Sequence, residues 1–245
     1  MKTSILLYDP YMSCYGLAVH AISIYYELVQ HKPCSEIKLC ERRREENSIA
    51  VEIGLADPWG CDKSILSEIE DYLHRLSLCN IKINCASNSL HCSTSSEHLK
   101  KIINRFKTIY MRKLISYTEN SNKEFFMAVS WRGEVFIGEG EESSITLPLI
   151  RGVLFAHTHP SPNCLPSHRD ILSFQDFFGE GGLVEFIVSN KCYLVAYTET
   201  LTEEDYWKLQ DIAMCIKRAK NYENYSKCLR SIYSLKSIWV EINPL

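Results

Sequence analysis

The pattern of apolar and polar residues in the first third of the chain predicts a small mixed domain. Apolar residues recur at helical spacing in two stretches, and they alternate with polar residues in the short runs around these stretches. The predicted elements in order are a strand at Ser4–Tyr8, a helix at Leu17–Gln30, a hairpin of Glu36–Arg42 and Ser48–Leu55, a helix after Asp62 and a strand at Ile81–Cys85. This is the element order of the split βαβ arrangement in ferredoxin-like folds.

A second domain is predicted after a change in composition. Between Ala86 and Glu97 the chain is rich in serine and asparagine, which is typical of a linker. We therefore predict a small α+β domain over residues 1–92 and an α/β domain over residues 93–245. The elements predicted in the second domain are helices at Glu97–Ser116, after Ser167 and from Thr202 to Lys220, and strands at Glu124–Ser130, Glu134–Gly138, Ser144–Leu149, Gly152–Ala156, Leu183–Ser189 and Cys192–Thr198, with a helical extension and a last strand before Pro244.

Composition and charge narrow the classes of function. The chain has 245 residues, of which 46% are hydrophobic, and a formal net charge of -3, so nothing in its charge favours nucleic acid or anionic membrane as a partner. No apolar run approaches the roughly 18 residues of a membrane span. The first apolar run is interrupted by Asp9 and Pro10, as a signal-peptide core would not be. We expect a soluble, cytoplasmic protein.

The cysteines have two interpretations. Eleven are present, but no two have CxxC spacing, which excludes a zinc ribbon and a thioredoxin-like motif. We interpret them as small buried apolar residues, because disulfides are unusual in a mesophilic cytosol. Disulfide bridges are the alternative, and counting free thiols would distinguish the two.

The chemistry is concentrated at the end of the predicted strand Gly152–Ala156. His157 and His159 are two residues apart, so on an extended strand both imidazoles lie on the same face. Asp170 follows beyond a proline-rich turn. Two imidazoles and a carboxylate form the usual ligand set of a catalytic zinc site, which leaves a position for water. The alternative is that these three are polar surface residues. Ser167, three residues before Asp170, is also expected to cap the helix that follows, and this cap could be its only role.

The segment HTHPSPNCLPSHRDILSF resembles the motif of the JAMM (MPN+, Jab1/Mov34-type) metalloproteases. In that family an upstream glutamate is followed by H-[ST]-H-P and then by S-x-x-D, and the surrounding prolines and Cys164 are similar to archaeal deubiquitinase-like members. The resemblance covers about residues 95–220. It implies an MPN fold, a cytidine-deaminase-like α/β/α zinc metalloprotease domain.

The resemblance also implies roles for individual residues. His157, His159 and Asp170 would be the zinc ligands, and Ser167 would donate its hydroxyl to the oxyanion of the tetrahedral intermediate. Glu124 best matches the glutamate that takes a proton from the metal-bound water. Glu134 and Glu119 are the other candidates for that base.

The activity implied is hydrolysis of an isopeptide or peptide bond after the C-terminal tail of ubiquitin or a small ubiquitin-like modifier. Such a tail could add to an exposed strand edge, for which the candidate is Glu134–Leu147. Three alternatives remain at this point. The protein could be a JAMM-fold hydrolase with another substrate, for example one that releases a sulfur carrier or one that resembles the RadC-like branch. It could also be a non-catalytic scaffold that binds partners, or its function could be a binding role of the N-terminal domain.

Overall fold

The computed structural model of the protein describes residues 3–30, 33–43, 48–57, 60–77, 79–86, 92–140 and 151–245. Over these residues it is a mixed α/β structure, as the sequence predicts. The described elements are seven α-helices, one 3-10 helix and the strands of two β-sheets. No helix in the described ranges is long and apolar enough to cross a membrane.

The order of elements in the first third of the chain is as predicted. These elements are β1 (Thr3–Tyr8), α1 (Pro10–Val29), β2 (Cys34–Arg43), β3 (Ser48–Ala56), α2 (Lys63–Ser77) and β4 (Asn80–Cys85). Helix α1 begins earlier than the periodicity indicates, because Asp9 accepts a hydrogen bond from the Met12 N–H at 3.3 Å and Pro10 occupies the first helical position.

The pairing of these strands differs from a ferredoxin-like sheet, in which all four strands pair antiparallel. β2 and β3 form the predicted antiparallel hairpin, but β4 runs parallel to β3. β1 belongs to the other sheet. A parallel pair needs a crossover connection, which α2 supplies. The element order was predictable from local patterns, whereas the choice of pairing partner depends on long-range contacts.

The remaining elements begin after residue 92. They are α3 (Ser95–Ile109), α4 (Met111–Ser121), β5 (Phe125–Ser130), β6 (Glu134–Glu139), β7 (Gly152–Thr158), α5 (His168–Gly179), β8 (Val184–Val188), β9 (Cys192–Thr198), α6 (Glu203–Arg218), α7 (Tyr222–Arg230), a 3-10 helix (Ser231–Ser234) and β10 (Ile238–Pro244). The single helix predicted at Glu97–Ser116 is therefore two helices that meet at Tyr110. The predicted strand Ser144–Leu149 lies outside the described residues.

The larger sheet has seven strands in the order β1-β6-β5-β7-β8-β9-β10. β7 is its central strand, and it pairs parallel with β8. All seven residues of β7 are buried, as expected of a central strand with a parallel neighbour, so apolar residues fill it until His157. β8 and β9 form the predicted antiparallel hairpin, and β10 adds to β9 antiparallel.

The prediction of an exposed strand edge at Glu134–Leu147 is wrong for its first part. The sheet order places β6 between β1 and β5, so Glu134–Glu139 is not an exposed edge. The sequence could not show this, because β1, the strand that covers β6, comes from the distant N-terminal segment. The rest of the candidate, residues 141–147, lies outside the described residues.

One apolar core packs against the strands on one side of β7, namely β8, β9 and β10. It joins α5, α6 and the 3-10 helix to β8, β9 and β10, through residues such as Phe174, Leu209, Ile232, Ile187 and Leu194, each with at most 1% of its surface exposed. This packing holds the N-terminus of α5 in place, and that is where Asp170 lies.

The chain divides into two compact units. One comprises residues 1–4, 107–128 and 136–245, and the other comprises residues 5–106 and 129–135. The single boundary between residues 92 and 93 stays a prediction. The residues of the candidate site, namely Glu124, His157, His159, Ser167 and Asp170, all fall in the first of these units.

The interpretation of the cysteines as unbridged was wrong. Bridges join Cys34 to Cys92, Cys61 to Cys85, Cys164 to Cys192 and Cys215 to Cys228, with Cα–Cα distances from 5.4 to 5.8 Å. Cys14 is bridged as well, and Cys79 is free and buried. Partners separated by up to 58 residues cannot be identified from spacing, because folding brings them together. Such bridges are unusual in a reducing cytosol, and the cytoplasmic location stays a prediction.

Candidate metal centre

The end of β7 presents the two histidines together. His157 is buried and His159 is partly buried, and their ring centroids are 5.2 Å apart. The His159 N–H donates to the Val188 carbonyl at 2.8 Å, so the pairing of β7 with β8 continues past the strand end. Two-residue spacing on a regular strand therefore brings both imidazoles to one place, as the sequence predicts.

Asp170 reaches the histidines from the first turn of α5. Ser167 is the N-cap of this helix, and its hydroxyl oxygen accepts hydrogen bonds from the backbone N–H groups of Arg169 and Asp170 at 3.2 and 3.3 Å. Asp170 Oδ2 in turn accepts from the Ser167 N–H at 2.6 Å. This reciprocal capping box orients the Asp170 carboxylate, because one of its oxygens is tied to the backbone.

Two contacts hold the loop between His159 and Ser167. The Cys164–Cys192 bridge connects the loop to β9. The Tyr225 hydroxyl, on α7, donates to the Pro166 carbonyl at 2.9 Å. The loop is thus anchored immediately before Ser167, so the helix cap and Asp170 are held together relative to the sheet.

The three side chains meet at one point. His157 Nε2 lies 3.1 Å from Asp170 Oδ1, and His159 Nε2 lies 3.5 Å from Asp170 Oδ2. One ligand atom from each of the three residues lies within 4.8 Å of the others. The cluster could therefore hold a metal ion.

The hydrogen bonds around the two imidazoles are compatible with metal binding through their Nε2 atoms. His157 Nε2 is buried and, within the described residues, has no partner that meets the directional requirements of a hydrogen bond, although Asp170 is close. A buried polar atom without a partner is costly unless a ligand satisfies it. His159 Nδ1 lies 3.0 Å from the Asn163 carbonyl, which accepts from a protonated Nδ1 and leaves the Nε2 lone pair free. Such a bond to the remote ring nitrogen is usual for histidines that bind metals.

Electrostatics in the cluster favour a charged carboxylate. Burial by itself raises the pKa of Asp170, but the two imidazoles outweigh it and hold that pKa well below its usual range. Burial by itself lowers the pKa of His159, but the neighbouring Asp170 carboxylate outweighs it and raises the pKa of this imidazole. Asp170 is therefore ionised at neutral pH, as a metal ligand must be.

Glu124 lies beside this cluster, directly before β5. Its side chain is half-buried, and burial raises its pKa more than the charges of His157 and His159 lower it. A carboxylate with a raised pKa is a stronger base than an ordinary carboxylate, which suits a group that must accept and later release a proton. The charges of His157, His159 and Asp170 all act on the pKa of Glu124, so its side chain lies within electrostatic range of the cluster.

The other two candidates for the base have different surroundings. Glu134 is on β6 and accepts a hydrogen bond from the Ser130 hydroxyl at 3.0 Å. Glu119 is exposed on α4, where it lines an open depression of about 300 Å³ together with Thr158, His159 and Asn190. The base assignment to Glu124 stays a prediction.

Ser167 is exposed at the helix N-terminus. Its oxygen accepts two backbone hydrogen bonds, so its own hydrogen remains available to donate outward. The predicted cap is confirmed, and the geometry is compatible with oxyanion donation as a second role. His168, the next residue, is not in the metal-binding group.

Sequence reasoning missed one ionisable residue near the site. Glu185 is on β8, paired in register with Phe155, and its side chain is completely buried. Its Oε1 accepts from the Ser173 hydroxyl at 2.8 Å, and Ser173 is on α5. The available signal was a single acidic residue within the apolar run LVEFIV, which a buried strand rarely contains.

Comparison with known proteins adds no assignment. No protein-family model matches the chain, and neither a curated protein nor a solved structure matches it. The residues of the site are therefore the basis for assigning a function.

Proposed function

We propose that this protein is a zinc-dependent hydrolase of the JAMM type, with the metal bound by His157, His159 and Asp170. The observation that supports this most is the meeting of two Nε2 atoms and one carboxylate. Within the described residues the buried His157 Nε2 has no well-directed hydrogen bond, although Asp170 Oδ1 lies 3.1 Å away. Two nitrogen donors and one oxygen donor are the set found in catalytic zinc sites such as that of thermolysin. Residues 93–245 would then be an MPN-type domain.

In this proposal, each neighbouring group has a defined task. A bound zinc ion would lower the pKa of its water towards neutrality and polarise the scissile carbonyl. Glu124 would take the proton from the nucleophile and pass it to the leaving amine, which its raised pKa supports. Ser167 would donate its free hydroxyl hydrogen to the developing oxyanion. No covalent intermediate with the protein is needed.

The proposed substrate is a peptide or isopeptide bond that follows the C-terminal tail of a ubiquitin-like small modifier. The resemblance of the segment His157–Phe174 to JAMM enzymes supports this choice. The test is a cleavage assay with several such modifiers, each linked through its C-terminus to a reporter protein. Cleavage directly after the modifier tail is the expected result.

Metal analysis tests the site separately from the substrate. Elemental analysis by inductively coupled plasma mass spectrometry should find about one zinc ion per chain in purified wild-type protein, as a mononuclear site requires. His157→Ala and Asp170→Asn should lose it. His168→Ala is the matched control, since this histidine neighbours the site but is not in the metal-binding group. Zinc that persists in both ligand variants would contradict the proposed centre.

Substitution of the base tests the mechanism. Glu124→Gln should retain zinc but lower kcat on the order of 10²- to 10⁴-fold, the usual contribution of general acid–base catalysis. Glu119→Gln and Glu134→Gln are matched controls that should leave kcat nearly unchanged. If Glu124→Gln retains full activity and one of these controls loses it, the base has been assigned to the wrong residue.

A further inference from the structure

Thr158 lies between the two candidate ligands and is buried, with 1% of its surface exposed. Because neighbouring residues on a strand point to opposite faces, its side chain leaves the face that carries His157 and His159. On that other side its hydroxyl contacts Phe125 and Thr118, which belong to the start of β5 and to α4.

The Thr158 hydroxyl contacts two neighbouring elements. The Phe125 N–H donates to Thr158 Oγ1 at 2.9 Å. The hydroxyl hydrogen of Thr158 has two possible acceptors, Thr118 Oγ1 and the Phe125 carbonyl at 3.4 Å. Either choice leaves the bond from the Phe125 N–H in place, because that bond uses only the oxygen of the hydroxyl.

The bonded amide belongs to the peptide group that joins Glu124 to Phe125. Its carbonyl, that of Glu124, accepts from the Gly140 N–H at 2.8 Å, and its N–H donates to Thr158. Both polar groups of this peptide are therefore hydrogen-bonded, the carbonyl to the Gly140 backbone and the N–H to the Thr158 side chain. The Thr158 hydroxyl therefore links the backbone that follows Glu124 to the strand residue that lies between the two candidate ligands.

We infer that Thr158 is a positioning residue, whose hydroxyl holds the Glu124 backbone at a set place relative to His157 and His159. The inference rests on the proposed function, in which Glu124 is the base. A misplacement of about 1 Å can lower a rate on the order of 10²-fold, so a reaction of this type is sensitive to the position of its base. Threonine combines a branched shape that suits a buried strand with the hydroxyl that the Phe125 amide needs.

The kinetic test compares two substitutions at one position. Thr158→Val keeps the shape and removes the hydroxyl, so kcat should fall on the order of 10- to 100-fold while KM and zinc content stay near wild type. Thr158→Ser keeps the hydroxyl and should restore most of kcat. Thr198→Val is the matched control, because Thr198 is equally buried on β9 and its hydroxyl donates to the Ser237 carbonyl at 2.7 Å. This control should lose stability but not kcat.

A second readout does not use activity. Amide hydrogen exchange of Phe125, followed by NMR in metal-free protein, should be faster in Thr158→Val than in wild type and slow again in Thr158→Ser. Unchanged exchange in Thr158→Val would overturn the inference, and so would faster exchange accompanied by an unchanged kcat. If wild type cleaves no modifier fusion but the exchange pattern is as expected, the proposed function is contradicted and the hydrogen-bonded placement of Glu124 is supported.

Discussion

Glu185 should make the stability of the protein depend on pH in a direction that can be worked out from its surroundings. Its side chain is completely buried, and Oε2 has no hydrogen-bond partner within the described residues. Burial raises the pKa of this carboxyl well above its ordinary value, and the nearby Asp170 and Asp176 raise it further, although the Ser173 hydroxyl opposes them. The folded protein therefore keeps a proton that the unfolded chain releases above about pH 4.3.

The sign and size follow from this difference in proton binding. Since the pKa is raised in the folded state, the stabilising contribution is fully present below the unfolded pKa and is lost as the pH rises towards the folded pKa. Each pH unit in that window lowers the free energy of unfolding by up to about 1.4 kcal/mol.

The variant Glu185→Gln removes this dependence. Glutamine is neutral at every pH, and its amide oxygen can still accept from the Ser173 hydroxyl. Relative to wild type, Glu185→Gln should therefore gain stability as the pH rises from about 5 to about 7. Urea unfolding of metal-free protein at several pH values measures this difference, in which the contributions of the other ionisable groups cancel.

A matched control shows whether the effect is local. Glu68→Gln makes the same chemical change at an exposed position of α2, so it controls for the replacement of a glutamate as such. If Glu185→Gln and wild type have parallel stability profiles between about pH 5 and about pH 7, the buried carboxyl does not retain its proton and the reasoning is refuted.

Three further outcomes follow from the structure. Ser167→Ala should lower the free energy of unfolding, measured in urea, by about 1 kcal/mol, because α5 loses its cap. Ser167→Asn should restore this stability, since asparagine also caps helices. Equal stability of wild type and both variants would contradict the capping role. Asp205→Ala should destabilise the protein by about 3 kcal/mol, since it leaves the backbone N–H groups of Lys236 and Ser237 without their acceptor, and differential scanning calorimetry measures this. Thiol titration of denatured, unreduced protein should find at most two free thiols, because at least nine of the eleven cysteines are bridged. A count of eleven free thiols would contradict every bridge.

Much of the local structure could be predicted from the sequence. The alternation and helical periodicity predicted the order of the strands and helices in the first third of the chain, and the S-x-x-D spacing predicted the cap of α5. These features arise from contacts among residues close in sequence, which depend on backbone geometry and little else. For the same reason the pairing of His157 with His159 could be anticipated from their spacing along one strand.

Other parts of the site depended on contacts between distant segments. Glu124 precedes His157 by more than thirty residues, and only the assembly of β5 beside β7 brings it to the cluster. The resemblance favoured Glu124, but the sequence left Glu134 and Glu119 as further candidates. The same holds for the hydroxyl of Thr158, whose partners Thr118 and Phe125 come from two other elements.

The sequence by itself therefore determined the local elements and the chemical types available at the end of β7. The tertiary structure alone decided the disulfide partners, the interior position of β6, the separate sheet of β2–β4 and the burial of Glu185. The physical reason is that strand pairing and side-chain burial depend on the free energy of the whole packed core. A pattern of neighbouring residues specifies which face of an element is apolar, but not which distant element covers it.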